Sequence, residues 1–215
     1  MSRDSLSPEV RDARQHRLRG NMSSYQIMKR TVDLLVGIAA LPFAAPLCIL
    51  LMVLIRIESP GSPLFIQKRM GRGKSVFHML KLRTMAADIG DHPSHELGGA
   101  HITRLGGILR RLKLDELPQL LNVVAGSMSL VGPRPCLPSQ LELIDERSQR
   151  GIFAFRPGVT GPAQVEGVDM SEPRRVAEIE ARYFADATIA RDFVILWKTA
   201  TGSGSGDAAA KATKI

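Results

Sequence analysis

From Leu34 to Ile55 the chain runs for 22 residues without a charged side chain. A helix rises about 1.5 Å per residue, so the run covers roughly 33 Å, the depth of a bilayer's hydrocarbon core. A secretory signal does not fit. The run begins too far from the N-terminus, is too long for a signal's apolar region, and is followed by no small-residue cleavage site. A buried core helix of this length would be unusual in a chain of 215 residues. The run therefore predicts membrane contact.

Its flanks sharpen that expectation. Residues 1–30 carry seven basic side chains (Arg3, Arg11, Arg14, Arg17, Arg19, Lys29, Arg30) against three acids. Residues 56–83 again carry seven (Arg56, Lys68, Arg69, Arg72, Lys74, Lys81, Arg83), against Glu58 alone. A spanning helix normally leaves its Lys/Arg-poor end outside, whereas here both ends ask for the cytoplasmic face. Pro42 and Pro46 lie mid-run, where each removes a backbone donor and bends a helix. A kinked helix that enters and leaves by one leaflet reconciles the two observations, with its break at Pro42, Ala45 and Pro46. The alternative is a straight span with a tolerated kink.

The net charge of +8, from 29 Lys and Arg against 21 Asp and Glu, calls for phosphate-bearing partners such as an anionic phospholipid surface or a nucleotide. Nucleic acid is excluded. Seven Phe, two Tyr and one Trp make too few stacking surfaces, and no nucleic-acid-binding motif is present. Two cysteines, Cys48 and Cys136, form neither a disulfide framework nor a CxxC pair, consistent with a reducing compartment.

Beyond the run, Ser59-Pro60-Gly61 reads as a turn. Leu64–Lys68 and Val76–Leu82 read as strands around Gly71-Arg72-Gly73. Asp88–Ala100 is a polar loop, and Ile102, Leu105, Ile108, Leu109 and Leu112 recur at helical spacing. Further helices are expected over about Glu116–Val124, Pro138–Gln149, Pro173–Ala185 and from Phe193, with a Gly/Pro loop over Arg156–Gln164. The fold class is thus α/β: a small, helix-rich cytoplasmic domain with an N-terminal re-entrant membrane helix. Four parts are expected: a basic segment (1–28), the re-entrant helix (29–58), a catalytic domain at the membrane surface (59–201) and a disordered tail (202–215).

Candidate chemistry gathers at the adjacent carboxylates Asp115-Glu116, just after the basic Arg110-Arg111-Leu112-Lys113. Asp at a helix start is usually an N-cap, but Pro118 would then fall at N3 and withhold a capping donor. A carboxylate left partly uncapped among arginines stays ionised, available as a nucleophile or as a ligand for a hard cation. Arg134, set between Pro133 and Pro135, offers a phosphate-matched fork on a stiffened backbone. Lys81 and Arg83 alternate on a strand and so share a face. Gly73-Lys74-Ser75 is not a P-loop, because Lys68 stands where the first glycine is needed. His92, His95 and His101 lack metal-site spacing.

Together these motifs resemble the monotopic phosphoglycosyl transferases, bacterial sugar transferases that begin lipid-linked glycan assembly. The pieces run in order over most of the chain: Lys29-Arg30 with Asp33, Ser59–Phe65, Gln67, Arg69 and Gly71, Lys81–Met85, Leu114–Leu120, Asn122-Val123, Ser127–Pro135, and Arg156–Gly161. The resemblance implies transfer of a sugar 1-phosphate from a UDP-sugar to polyprenol (undecaprenyl) phosphate at the bacterial inner membrane, with UMP released. It implies that Asp115 is the nucleophile and that Asp115 and Glu116 hold Mg²⁺. It also implies that Lys81, Arg83, Arg110 and Arg134 bind phosphate. Three features depart from the family pattern. Ala45 replaces the usual Ser before Pro46, Pro42 is an extra breaker, and Pro162-Ala163-Gln164 lacks the aromatic that often precedes the Gln. The chain resembles the family's minimal form, and homo-oligomerisation is left open.

Overall fold

The computed structural model describes residues 8–86 and 101–202, with side chains from residue 24 onward. The whole of the expected loop at Asp88–Ala100, with His92 and His95, and the tail from residue 203 lie outside the described residues.

The first element, α1 (Pro8–Glu58), is one helix of 51 residues. It continues through Pro42 and Pro46, so the helical backbone is not interrupted where the sequence led us to expect a break. A proline inside a helix forfeits one hydrogen bond and presses on the carbonyl four residues back. That weakens the helix without requiring it to end. Pro42, Ala45 and Pro46 are all exposed.

Between Ser24 and Glu58 this helix is long and apolar enough to cross a membrane. Much of its apolar surface is uncovered, with Leu35 65%, Phe43 80% and Ile57 77% exposed. The buried positions form a narrow stripe at helical spacing: Tyr25, Asp33, Gly37, Ala44, Leu51 and Ile55.

Both halves of α1 pack on the same domain. Near its middle, the Arg30 guanidinium donates to the carbonyls of Val123 and Val124 at 2.6 and 2.8 Å. The Asp33 carboxylate accepts from the Leu130 amide at 3.0 Å. At Gly37 even a methyl group would come within 3.0 Å of Val124 Cγ2, so close approach selects the smallest residue there. Near its end, Leu51 and Ile55 join Leu82 and Leu109 in one apolar cluster. There Glu58 Oε1 also accepts from the Leu105 amide at 3.0 Å.

Strands β1 (Leu64–Met70) and β2 (Val76–Leu82) pair antiparallel in the expected hairpin, from Leu64 opposite Leu82 to Met70 opposite Val76. Helix α2 (Arg104–Leu112) is capped by Thr103, whose hydroxyl accepts from the Gly106 amide. The helix expected from Glu116 is divided. Lys113 turns left-handed at φ 57°, a 3₁₀ turn covers Leu114–Glu116, and α3 (Gln119–Ala125) starts only after Pro118. Asp115 is therefore inside the 3₁₀ turn and is not an N-cap.

The segment Arg156–Gln164, expected as a loop, contains β4 (Gly158–Thr160), which pairs parallel with β3 (Ser129–Val131), and then α5 (Pro162–Val165). A Cβ at Gly158 would meet the Gly132 amide nitrogen at 2.1 Å, so this crossing depends on glycine. Helix α4 (Leu141–Gln149) begins three residues after Pro138, α6 (Pro173–Ala185) matches its expected span, and α7 (Ile189–Ala200) closes the described chain.

Candidate active site

The 3₁₀ turn that follows α2 places Asp115 against the end of β2. Lys81 Nζ lies 2.8 Å from Asp115 Oδ2, and both side chains are largely buried. The hairpin and α3 are locked in register by Asn122, which accepts from the Leu80 amide at 3.0 Å and donates to the His78 carbonyl at 2.8 Å. That link makes the Lys81–Asp115 contact a consequence of the fold rather than of two flexible side chains meeting.

Three residues beyond Lys81, the Thr84 hydroxyl accepts from Arg110 Nε at 2.8 Å. The Nη1 of Arg110 is buried and meets no acceptor among the described residues. An arginine nitrogen held out of water without a partner is costly, and an anionic substrate would satisfy it.

Glu116 turns toward the loop at 132–136, where Arg134 Nη2 stands 3.8 Å from Glu116 Oε1. That loop is pinned almost residue by residue. The Gly132 amide donates to Thr160, and the carbonyls of Pro133 and Cys136 accept from the amides of Gly158 and Met70. The Pro135 and Arg134 carbonyls accept from the guanidinium groups of Arg69 and Arg147, at 3.1 and 2.8 Å. Arg147 is itself buried and bidentate to Glu180, at 2.8 and 2.6 Å. Arg134 is thus presented from a backbone with little freedom, as its two flanking prolines led us to expect.

Arg83 has a different task in this structure. It follows the end of β2, and its guanidinium donates to the Ser59 and Pro60 carbonyls and to the Ser59 hydroxyl, at 2.7–2.8 Å. It closes the turn that leads out of α1.

Lys113, to which the sequence attached no role, stands in the same field. Burial lowers its pKa, Glu116 raises it and Arg134 lowers it again. It takes a positive φ at the junction between α2 and the carboxylate pair, a backbone feature that the sequence does not display. The Arg147–Glu180 pair was not legible, because 33 residues separate its partners.

The donor chemistry suits a hard cation. Mg²⁺ is commonly held by one or two carboxylates together with substrate phosphates, and Asp115 and Glu116 supply that number. No group of three or more acidic, His or Cys side chains gathers as an all-protein cage among the described residues.

The family model for bacterial sugar transferases matches residues 24–204. The chain belongs to the bacterial sugar transferases. A UDP-N-acetylgalactosamine-undecaprenyl-phosphate N-acetylgalactosaminephosphotransferase of Aeromonas hydrophila is 35% identical over 185 residues, covering 81% of this chain and 43% of that protein. A UDP-glucose:undecaprenyl-phosphate glucose-1-phosphate transferase of Caulobacter vibrioides is 39% identical, covering 80% of this chain and 68% of its own. The exopolysaccharide production protein ExoY of Sinorhizobium fredii is 36% identical over 80% of this sugar transferase and 84% of its own length. The chain therefore spans less than half of the Aeromonas relative and most of the Sinorhizobium one. The class expected from the motifs, a phosphoglycosyl transferase, is the class that the first two relatives' names describe.

Proposed function

We propose that this sugar transferase moves a sugar 1-phosphate from a UDP-sugar to polyprenol (undecaprenyl) phosphate through a covalent phosphosugar on Asp115. The observation that carries the reading is the buried Asp115 carboxylate, paired to Lys81 at 2.8 Å, with Glu116 and Arg134 alongside.

A carboxylate oxygen of Asp115 attacks the phosphorus joined to the sugar. The bond from that phosphorus to the bridging oxygen breaks, and UMP leaves with the bond's electron pair. A phosphate oxygen of polyprenol phosphate then attacks the same phosphorus, which frees the carboxylate and forms polyprenyl diphosphate sugar. Neither displacement needs a proton to move at the carboxylate. Both bring anions against an anion, so the barrier is set by how well cations neutralise the phosphates. Lys81 can pass from the carboxylate to the incoming phosphate, while Arg110 and Arg134 supply forked donors to its oxygens. Arg83 serves indirectly, by fixing the turn after α1. Asp115 and Glu116 are the residues that would hold Mg²⁺, which when bound withdraws negative charge from the phosphate oxygens.

Release of UMP from a panel of UDP-sugars, with polyprenol phosphate and Mg²⁺ present, tests the reading. A donor that yields UMP supports it, and silence across the panel contradicts it. Lysine at position 110 or 134 keeps the charge and loses the fork. Arg110→Lys and Arg134→Lys should each lower kcat/KM by roughly 10–100-fold, about 1.4–2.8 kcal/mol of transition-state stabilisation. Unchanged kinetics would reduce these arginines to distant charge.

For topology we propose the re-entrant arrangement at the cytoplasmic face of the inner membrane, on an anionic phospholipid surface. Support comes from the basic flanks and from both halves of α1 packing on one domain. A helix that carried its first half to the far side of a bilayer could not keep the Arg30 and Asp33 contacts. A cysteine placed at Ser5, with Cys48 and Cys136 replaced, should resist an impermeant thiol reagent on intact spheroplasts and react once they are permeabilised. Ready labelling from outside in an active enzyme would establish a full span.

A further inference from the structure

The two arms of the site, the carboxylate turn at 113–116 and the arginine loop at 132–136, belong to different parts of the chain. They meet a common support at the end of α7. The Lys113 ammonium donates to the Thr199 carbonyl at 3.4 Å, near the helix C-terminus, where a cation is favoured. The Thr199 hydroxyl donates to the Ile195 carbonyl at 2.9 Å. It has only one proton, so in the 2.7 Å contact with Thr160 Oγ1 it is the acceptor and Thr160 the donor. Thr160 is buried, pairs with Val131 across the parallel strands, and accepts from the Gly132 amide at 2.9 Å through its carbonyl. One residue of α7 therefore reaches the carboxylate arm through its carbonyl and the arginine arm through its hydroxyl.

We infer that Thr199 is a positioning residue, which holds the arginine loop in register with the Asp115-Glu116 turn. The inference rests on the transfer reading of that site. The Arg134 Nη2 stands 3.8 Å from Glu116 Oε1, and a shift of the loop would change how both meet the donor's phosphates. Misplacement of about 1 Å is costly to a reaction that depends on alignment.

Thr199→Val keeps the shape of the side chain and the carbonyl contact to Lys113, and removes the acceptor for Thr160. With a donor chosen from the UMP-release panel, kcat should fall about 10-fold and donor KM rise several-fold, with thermal unfolding little changed. A merely structural defect would shrink the active fraction, lowering kcat at unchanged KM. Thr199→Ser restores the hydroxyl and should restore both constants to within about twofold. Thr160→Val breaks the same link from the other side, so combining it with Thr199→Val should cost little more than the worse single variant. Wild-type kinetics in Thr199→Val, failure of Thr199→Ser to recover, or additive losses in the double variant would overturn the inference. If Thr199→Val does not fold, wild-type kinetics in Thr160→Val would overturn it equally. Absence of UMP from the wild-type enzyme would overturn the transfer reading, and this inference with it.

Discussion

Asp115→Asn is expected to abolish turnover, with a loss of roughly 10³-fold or more, equivalent to about 4 kcal/mol or more in the barrier. Asparagine keeps the size of the side chain and an oxygen for Lys81, but its amide cannot form the acyl phosphate. Folding and recovery with the membrane fraction should be unchanged, since Asp115 caps no helix and its ion pair with Lys81 is confined to the site. Steady-state UMP release, with circular dichroism and fractionation as controls, checks this. Substantial activity in the variant would remove Asp115 from the nucleophile's role.

The second large effect is on stability. Arg147 and Glu180 are both almost completely buried, and their bidentate contact sits behind the Arg134 carbonyl. Burial pushes the Glu180 carboxyl up and Arg147 pulls it back down, so removing the arginine leaves an acid with no counter-charge. Arg147→Met should destabilise the enzyme by about 3–5 kcal/mol. Arg147→Met combined with Glu180→Leu should recover much of that, because most of the loss is the stranded partner rather than the pair itself. Unfolding of the detergent-solubilised proteins distinguishes the two. A double variant no more stable than Arg147→Met would mean that the ion pair contributes specific stability beyond its desolvation cost.

The Asp115-Glu116 dyad, Arg134 between its prolines, and Lys81 stand out locally, because chemistry-bearing residues are crowded into short segments of unusual composition. The hairpin was likewise legible, since its period and its Gly-rich turn are local properties; the apolar part of α1 announced itself by length, but its continuation back to Pro8 and through Pro42 and Pro46 did not. What the sequence hid is long-range. Asp192 on α7 accepts from Tyr25 and Lys29 of α1 and from Tyr183 of α6, in contacts that span up to 167 residues. Nothing in the period of these three helices points to that meeting. Glu180 falls on the apolar stripe of α6 with Val176, Ala177, Tyr183 and Phe184, and its solvated neighbour Glu178 falls off it, but nothing in that spacing names Arg147 as the partner.

Two expectations were displaced for local reasons instead. The helix expected from about Glu116 starts late, because Lys113 turns left-handed and Pro118 delays α3, which places Asp115 in a tighter 3₁₀ turn. Arg83 reads as a partner of Lys81 on one strand face, but β2 ends at Leu82, and the arginine closes on the carbonyls of the turn after α1.

The covalent step is the centre of this account, and it can be weighed directly. The purified enzyme, given Mg²⁺ and a UDP-sugar that yields UMP but no polyprenol phosphate, is quenched and digested. The peptide containing Asp115 should gain the mass of one sugar phosphate. That mass should disappear when polyprenol phosphate is added before the quench. An enzyme that turns over with the acceptor present, yet shows no adduct or carries it on a peptide without Asp115, would contradict the mechanism.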